Sequence, residues 1–316
     1  EHNDYNMNSV GTGPYKLVEY QSGSYLKFEA NENYYKGEPS VKNIVFQIIE
    51  NADTAILALQ NGEVDAYQMT PQQVKKLDLD ASNLSTYSYS EGRVGYLEIN
   101  CNRVTDEKVR KALLYAMDRK AMDDAAFESS EYYSIPYTFL PTNSQFYTED
   151  GVEKYEQDVD KAKSMLEEAG VSGLKLKLGY ISSDAVQSAQ ALLIQEQLKE
   201  VGVTVELAGG DGTAIANAMK DPDNEYDMYL GGYIMGIDPD TFSSLFENDG
   251  AYNYMHYSGY DTIDQLFEEG RSELDESARK ETYAKLQAAV QDTGAFYPII
   301  SNNKILVVNN RIQGVE

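Results

Sequence analysis

The chain has 316 residues, 42% of them hydrophobic and 25% charged, a balance that excludes both a polypeptide too polar to fold and one apolar enough to live in a membrane, and that suits about two domains with cores of their own. Acidic residues outnumber basic ones 52 to 26, for a formal charge of −26 and a pI near 4.4; such a surface repels phosphate backbones and argues against nucleic-acid partners and against adhesion to anionic lipid. No run of 18 apolar residues occurs, which excludes a transmembrane helix, and a lone Cys101 excludes an internal disulfide, a Cys-rich zinc site and an iron–sulfur cluster.

Residues 12 to 100 read mainly as strands and turns. Leu17 to Tyr20, Tyr25 to Ala30, Ile44 to Glu50, Val64 to Tyr67 and Tyr96 to Asn100 are rich in β-branched and aromatic residues. One helix interrupts them, from about Asp53 to Gln60, and Asn61-Gly62 ends it. From Asp106 the texture changes. Val109, Ala112, Leu113, Ala116 and Met117 form one apolar stripe at helical spacing, with Thr105 expected as the N-cap. The tyrosine-rich stretch from Ser129 to Asp150 reads as a long loop. A helix over 158–169, a strand over 174–180, a helix over 185–200 and a strand over 203–207 then make a βαβ unit, which implies a parallel strand pair. Tyr226 to Gly231 gives a further strand, Ile263 to Gly270 and Arg279 to Gln291 further helices, and Phe296 to Ser301 and Lys304 to Asn309 two closing strands.

The residues that carry chemistry are sparse. Two histidines, His2 at a terminus and His256 alone, offer no pair at helix spacing for a metal. No nucleophile elbow, P-loop or dinucleotide fingerprint is present; Asp221-Pro222-Asp223 lacks the rest of a calcium loop and reads as a turn. Asp238 and Asp240 sit two apart after a strand and are candidates for a glycosidase-type carboxylate pair, but with 52 acidic residues chance pairs abound, and a turn or a helix cap is the commoner use. Tyrosine is the unusual residue, with 26 copies against 9 Phe and no Trp; Tyr joins apolar area to one hydrogen-bonding tip, so a cluster of them at a cleft suits a ligand of mixed polarity. The opening Glu-His-Asn-Asp carries no Met and no apolar leader, and reads as a processed or excised piece.

Several segments together resemble one family. Val10-Gly11-Thr12-Gly13-Pro14-Tyr15-Lys16-Leu17, Asn33 to Gly37, Val41 to Phe46, Ala58-Leu59-Gln60-Asn61-Gly62-Glu63-Val64-Asp65, Gly95 to Asn100, Lys108 to Leu113 with Ala116 to Arg119, Asp160-Lys161-Ala162 to Ala169-Gly170, Leu198 to Val205, Asp227 to Gly232, Asp238-Pro239 and Tyr297-Pro298 resemble, in order, the solute-binding proteins of peptide- and nickel-type ABC importers, extracellular family 5. The resemblance implies an α/β fold of the periplasmic-binding-protein type, a two-lobed clamp (type II) with lobe one incomplete. Residues 1–102 plus 299–316 would be the remainder of lobe one and 103–298 lobe two, with hinges near Asn100-Cys101-Asn102 and Ser301-Asn302-Asn303.

It also implies a non-enzymatic importer component that takes a peptide or similar small solute and delivers it to ABC permease subunits. No cofactor or metal is expected. The implied place is the extracellular face of the cell membrane, as a lipoprotein, or the periplasm, with any anchor lying outside this chain. A carboxylate-pair hydrolase and a sensory receptor are the alternatives. Because ligands of parallel sheets sit beyond the carboxyl ends of strands, the expected site is Tyr180, Ser182 and Ser183 after one strand and Tyr233, Met235, Gly236, Ile237 and Asp238 after another. Peptide binders that hold a free amino terminus resemble one another in carrying an aromatic residue and, three positions later, Asp; here Tyr233 is followed by Gly236. No Arg stands at Ser182 to Asp184 to take a carboxylate. These departures argue against a dipeptide reader and leave open a longer peptide held through its backbone, or a non-peptide solute.

Overall fold

Period-2 alternation dominates the first hundred residues, and in the computed structural model, which describes residues 10–127, 130–234, 236 and 238–315, it becomes β1 (Tyr15–Gln21), β2 (Tyr25–Ala30) and β3 (Asn43–Gln47), a three-stranded antiparallel sheet. A helix, α1 (Ala52–Gln60), is capped by the Asn51 side chain and stopped at Gly62, whose φ of 72° suits a residue without Cβ. Contacts group the chain into two units: residues 1–68, 77–86 and 306–316, and residues 69–76 and 87–305.

The larger unit is built on a mixed sheet. Its central path runs β11 (Phe296–Asn309), β6 (Arg93–Ile99), β10 (Met228–Ile234), β8 (Lys175–Ile181) and β9 (Thr204–Gly210). The strands β8 and β9 pair in parallel across the helix Ala185–Glu200, the βαβ unit that the sequence pattern predicts, and β10 adds in parallel beside β8. The central strands are apolar on both faces because both faces are covered. One face packs Leu97, Ile99, Leu178 and Leu230 against helices carrying Leu113, Ile194 and Leu198. The other packs Val94, Tyr96 and Phe296 against Phe242, Phe246, Phe267, Tyr283 and Leu286.

Three local expectations are revised. The helix after residue 105 spans Glu107–Tyr115, and its cap is Asp106, which accepts from the Lys108 N–H at 2.8 Å, rather than Thr105. A strand over Leu84–Ser90 was not anticipated, because its Ser-Tyr alternation buries little. The two closing strands are one, Phe296–Asn309. Its polar stretch does not break the strand because Ser301 and Asn302 pair with Ser134 and Tyr133 in a short strand formed within the expected loop.

Candidate functional site

The double glycine of β10 is the starting point, because it decides what lies on each face of the sheet. Gly231 pairs with Tyr96 and Gly232 with Gly95 across the antiparallel ladder. A Cβ at Gly231 would meet the Tyr96 ring at 2.5 Å, and one at Gly232 would collide with the Arg93 guanidinium. The room these glycines leave is occupied by two side chains of β6, Tyr96 on one face and Arg93 on the other. Among the described residues the Arg93 side chain has no hydrogen-bond or ion-pair partner.

On the Tyr96 face a cavity of about 200 Å³ is lined by Tyr96, Tyr229, Gly231, Gly232, Tyr233, Leu245, Tyr252 and Tyr254. Alternation along β6 and β10 puts Tyr96, Tyr229 and Tyr233 on one side, and the segment after the helical turn Ser243–Phe246 brings Tyr252 and Tyr254 over them. Tyr229 and Tyr254 meet edge to face at 6.2 Å. Glu98 shares this face, as the cross-strand neighbour of Tyr229 and Phe296. It is 1% exposed, and neither carboxylate oxygen has a hydrogen-bond partner among the described residues. Burial pushes its carboxyl up to about 8. The Tyr229 phenol is raised to about 12, by burial first and by Glu98 second, and the Tyr254 phenol is raised by the same two causes in the same order.

Of the expected site residues, Tyr233 lines this cavity, its hydroxyl 3.2 Å from Ser244 Oγ and its ring 5.1 Å from Phe242. Tyr180 packs with the opposite core cluster, over Gly209 of β9. Ser182 and Ser183 are exposed at the end of β8, and the Ser182 N–H donates to the Gly210 carbonyl at 3.1 Å. Tyr180 and Tyr233 therefore sit at the carboxyl ends of neighbouring strands but on opposite faces. Gly236 is exposed; Met235 and Ile237 lie outside the described residues.

Asp238 is a structural residue here. Its side chain caps the short 3-10 helix Pro239–Phe242 by accepting from the Asp240 N–H, and both its oxygens lie within 2.8 Å of Arg279 Nη2. Burial acts to raise its carboxyl, but the Asp240 N–H and the Arg279 guanidinium outweigh it and hold the group below the usual carboxylate range. Asp240 pairs with Arg271 at 2.9 Å. Two carboxylates each paired with an arginine make a poor acid and base pair, since one member of such a pair has to keep its proton.

Sequence reasoning missed Tyr96, Tyr229, Tyr252 and Tyr254 as walls of one cavity, with Glu98 buried on the same face and Arg93 on the opposite one. The available signal was a charged residue, Glu98, inside the apolar run Tyr96-Leu97-Glu98-Ile99. A larger cavity of about 390 Å³, lined by residues including Asn102, Pro222, Asn248 and His256, lies toward the amino end of β10 and is walled by polar turns. The Tyr96-face cavity is the better candidate because its floor runs along β10 to Tyr233, next to the carboxyl end where loops form the binding crevices of open α/β sheets. Among the described residues no helix is long and apolar enough to cross a membrane.

Comparison with known proteins supplies the frame. The profile of the bacterial extracellular solute-binding proteins, family 5 Middle, matches residues 1–254. The oligopeptide-binding protein AppA of Bacillus subtilis is 27% identical over 98% of this chain and 60% of its own length, and the dipeptide-binding protein of Escherichia coli 26% identical over 98% and 59%. The crystal structure of the ABC transporter substrate-binding protein CtaP of Listeria monocytogenes superposes with a TM-score of 0.92 at 38% identity, over 99% of this chain and 64% of that one. The chain thus spans about 60% of the length of the curated relatives it matches.

Proposed function

The chain belongs to the bacterial extracellular solute-binding proteins, family 5, with a mixed α/β fold matching that of type II periplasmic binding proteins, and from that premise we propose that it captures a small peptide or a similar solute and delivers it to ABC permease subunits. The family consists of solute-binding proteins rather than enzymes. The observation that carries the reading is the tyrosine-lined cavity on the face of β10, whose following turn has its carboxylates already paired with Arg279 and Arg271. Such a place can hold a solute and lacks a group poised to transform it. We take residues 1–102 with 299–316 as lobe one and 103–298 as lobe two of a clamp that closes on the solute. The expected station is the outer face of the cell membrane, through a lipid anchor, or the periplasm.

Titration calorimetry against tri- to hexapeptides tests this. Saturable binding is expected, and Tyr233→Ala should weaken it by about 10-fold, a typical effect for an aromatic anchor, with little change in thermal midpoint. Unchanged affinity would remove Tyr233 from the site. No turnover is expected; hydrolysis of a peptide or glycoside that disappears in Asp238→Asn would sink the binding-only reading.

A further inference from the structure

Five tyrosine rings, Tyr96, Tyr229, Tyr233, Tyr252 and Tyr254, surround a cavity of about 200 Å³ whose lining contains no charged side chain among the described residues. Each ring face carries negative electrostatic potential, and a ring box of this kind attracts a cation more than it attracts a neutral group of the same size. Glu98 lies in the same wall, two residues from Tyr96 on β6 and directly across from Tyr229, buried and with both oxygens unpartnered among the described residues. A buried carboxylate without a partner is costly unless a positive charge arrives to match it. The remaining charged and titratable groups that reach this wall are Arg93, on the opposite face across Gly232, and the phenol of Tyr257. The chain as a whole carries a charge of −26, which raises the local concentration of cations.

We propose that this tyrosine cup is a cation subsite, taking the ammonium or guanidinium group of a basic solute such as a lysine- or arginine-containing peptide, with the ring faces favouring cations over neutral groups and Glu98 strengthening that preference when it is ionised. The proposal rests on the solute-binding reading and names the solute class for the same site. Glu98 has no opening onto the cavity and keeps its proton below about pH 8, so it is a positioning residue whose field acts on Tyr96, Tyr229 and Tyr254 once it ionises.

Two measurements test it separately from the transport reading. In the first, protein with ring-labelled tyrosine is titrated with n-butylammonium chloride and with n-butanol, the cup resonances being assigned by Tyr229→Phe, Tyr252→Phe and Tyr254→Phe. Butylammonium should shift those resonances saturably at concentrations about 10-fold below butanol, as cation–π energies of 1 to 2 kcal/mol imply; equal responses, or none, overturn the cup whatever peptides do. In the second, calorimetry compares Ala-Lys-Ala with its neutral analogue Ala-norleucine-Ala. At pH 9, where Glu98 is ionised and the lysine still charged, the lysine peptide should bind about 10-fold tighter, and Glu98→Gln should shrink that ratio to about 2-fold, whereas at pH 6 parent and variant should discriminate alike. A ratio that survives Glu98→Gln at pH 9 overturns the role of Glu98. If butylammonium fills the cup but neither peptide binds, the transport reading fails and the cation subsite stands.

Discussion

Glu98 and Asp238 are both carboxylates flanking the β6–β10 pair, and their surroundings drive them in opposite directions. Asp238 sits in a turn, caps a helix and meets Arg279, so it stays ionised and serves the fold. Glu98 sits in a strand, beneath tyrosines, with no donor among the described residues, and burial lifts it to about 8. A matched carboxylate stabilises what is already there; an unmatched one leaves a place for something else to complete. That contrast directs attention to the Tyr96 face rather than to the Asp238 turn, although the turn offered the clearer motif in sequence.

The largest expected effect that sharpens the contrast is on pH dependence. Glu98 has a folded pKa of about 8 against an ordinary 4.5, so the folded state keeps a proton that the unfolded chain releases between those values. Its contribution is therefore most favourable below pH 4.5 and declines as pH rises toward 8, by up to about 1.4 kcal/mol per pH unit. Asp123, lifted by burial to about 8 against the bonds of Gln190 and the charge of Arg119, adds a similar slope. Urea melts of Glu98→Gln between pH 5 and 8 should lose one of these slopes; a wild-type slope in the variant would mean Glu98 is paired in solution.

The next effect separates the two glycines. In Gly231→Ala the new methyl meets a buried aromatic ring, and a loss of about 1–3 kcal/mol is expected. In Gly232→Ala it meets only the end of the flexible, partly exposed Arg93, and the loss should stay under about 0.5 kcal/mol. Equal losses would show that strand pairing, not the cross-strand side chains, sets the need for glycine.

The smaller effect probes the turn. Arg279→Ala should cost about 1 kcal/mol at pH 7, a modest figure because the Asp238 side chain is 44% exposed. The folded pKa of Asp238 lies below its unfolded value, so its contribution is present above about pH 4 and fades on acidification through the folded pKa. The difference between variant and parent should shrink at pH 3. A constant difference would assign the loss to the contacts of Arg279 with the Phe146 and Tyr283 rings.

Local pattern was enough for the elements whose burial follows a simple period. The helix Ala185–Glu200 and its flanking strands β8 and β9 follow from alternation and helical spacing, because these are patterns among residues a few positions apart. The order of motifs likewise sufficed to recognise the family. The cap at Asp106 differed by one position from expectation because Thr and Asp are both capable caps and only the backbone angles choose between them. The single strand Phe296–Asn309 depended on Tyr133 and Ser134, more than 160 residues away, supplying hydrogen bonds to a stretch that by itself looks like a turn. The cup is of this second kind. Its tyrosines come from β6, from β10 and from the segment around 252–254, and which of the 26 tyrosines share a surface is set by strand register and by the face each strand presents. The sequence by itself determined the family, the βαβ frame and the abundance of tyrosine; only the tertiary structure decided that Glu98 is left without a donor and that Asp238 is not, because a partner is a matter of distance in space.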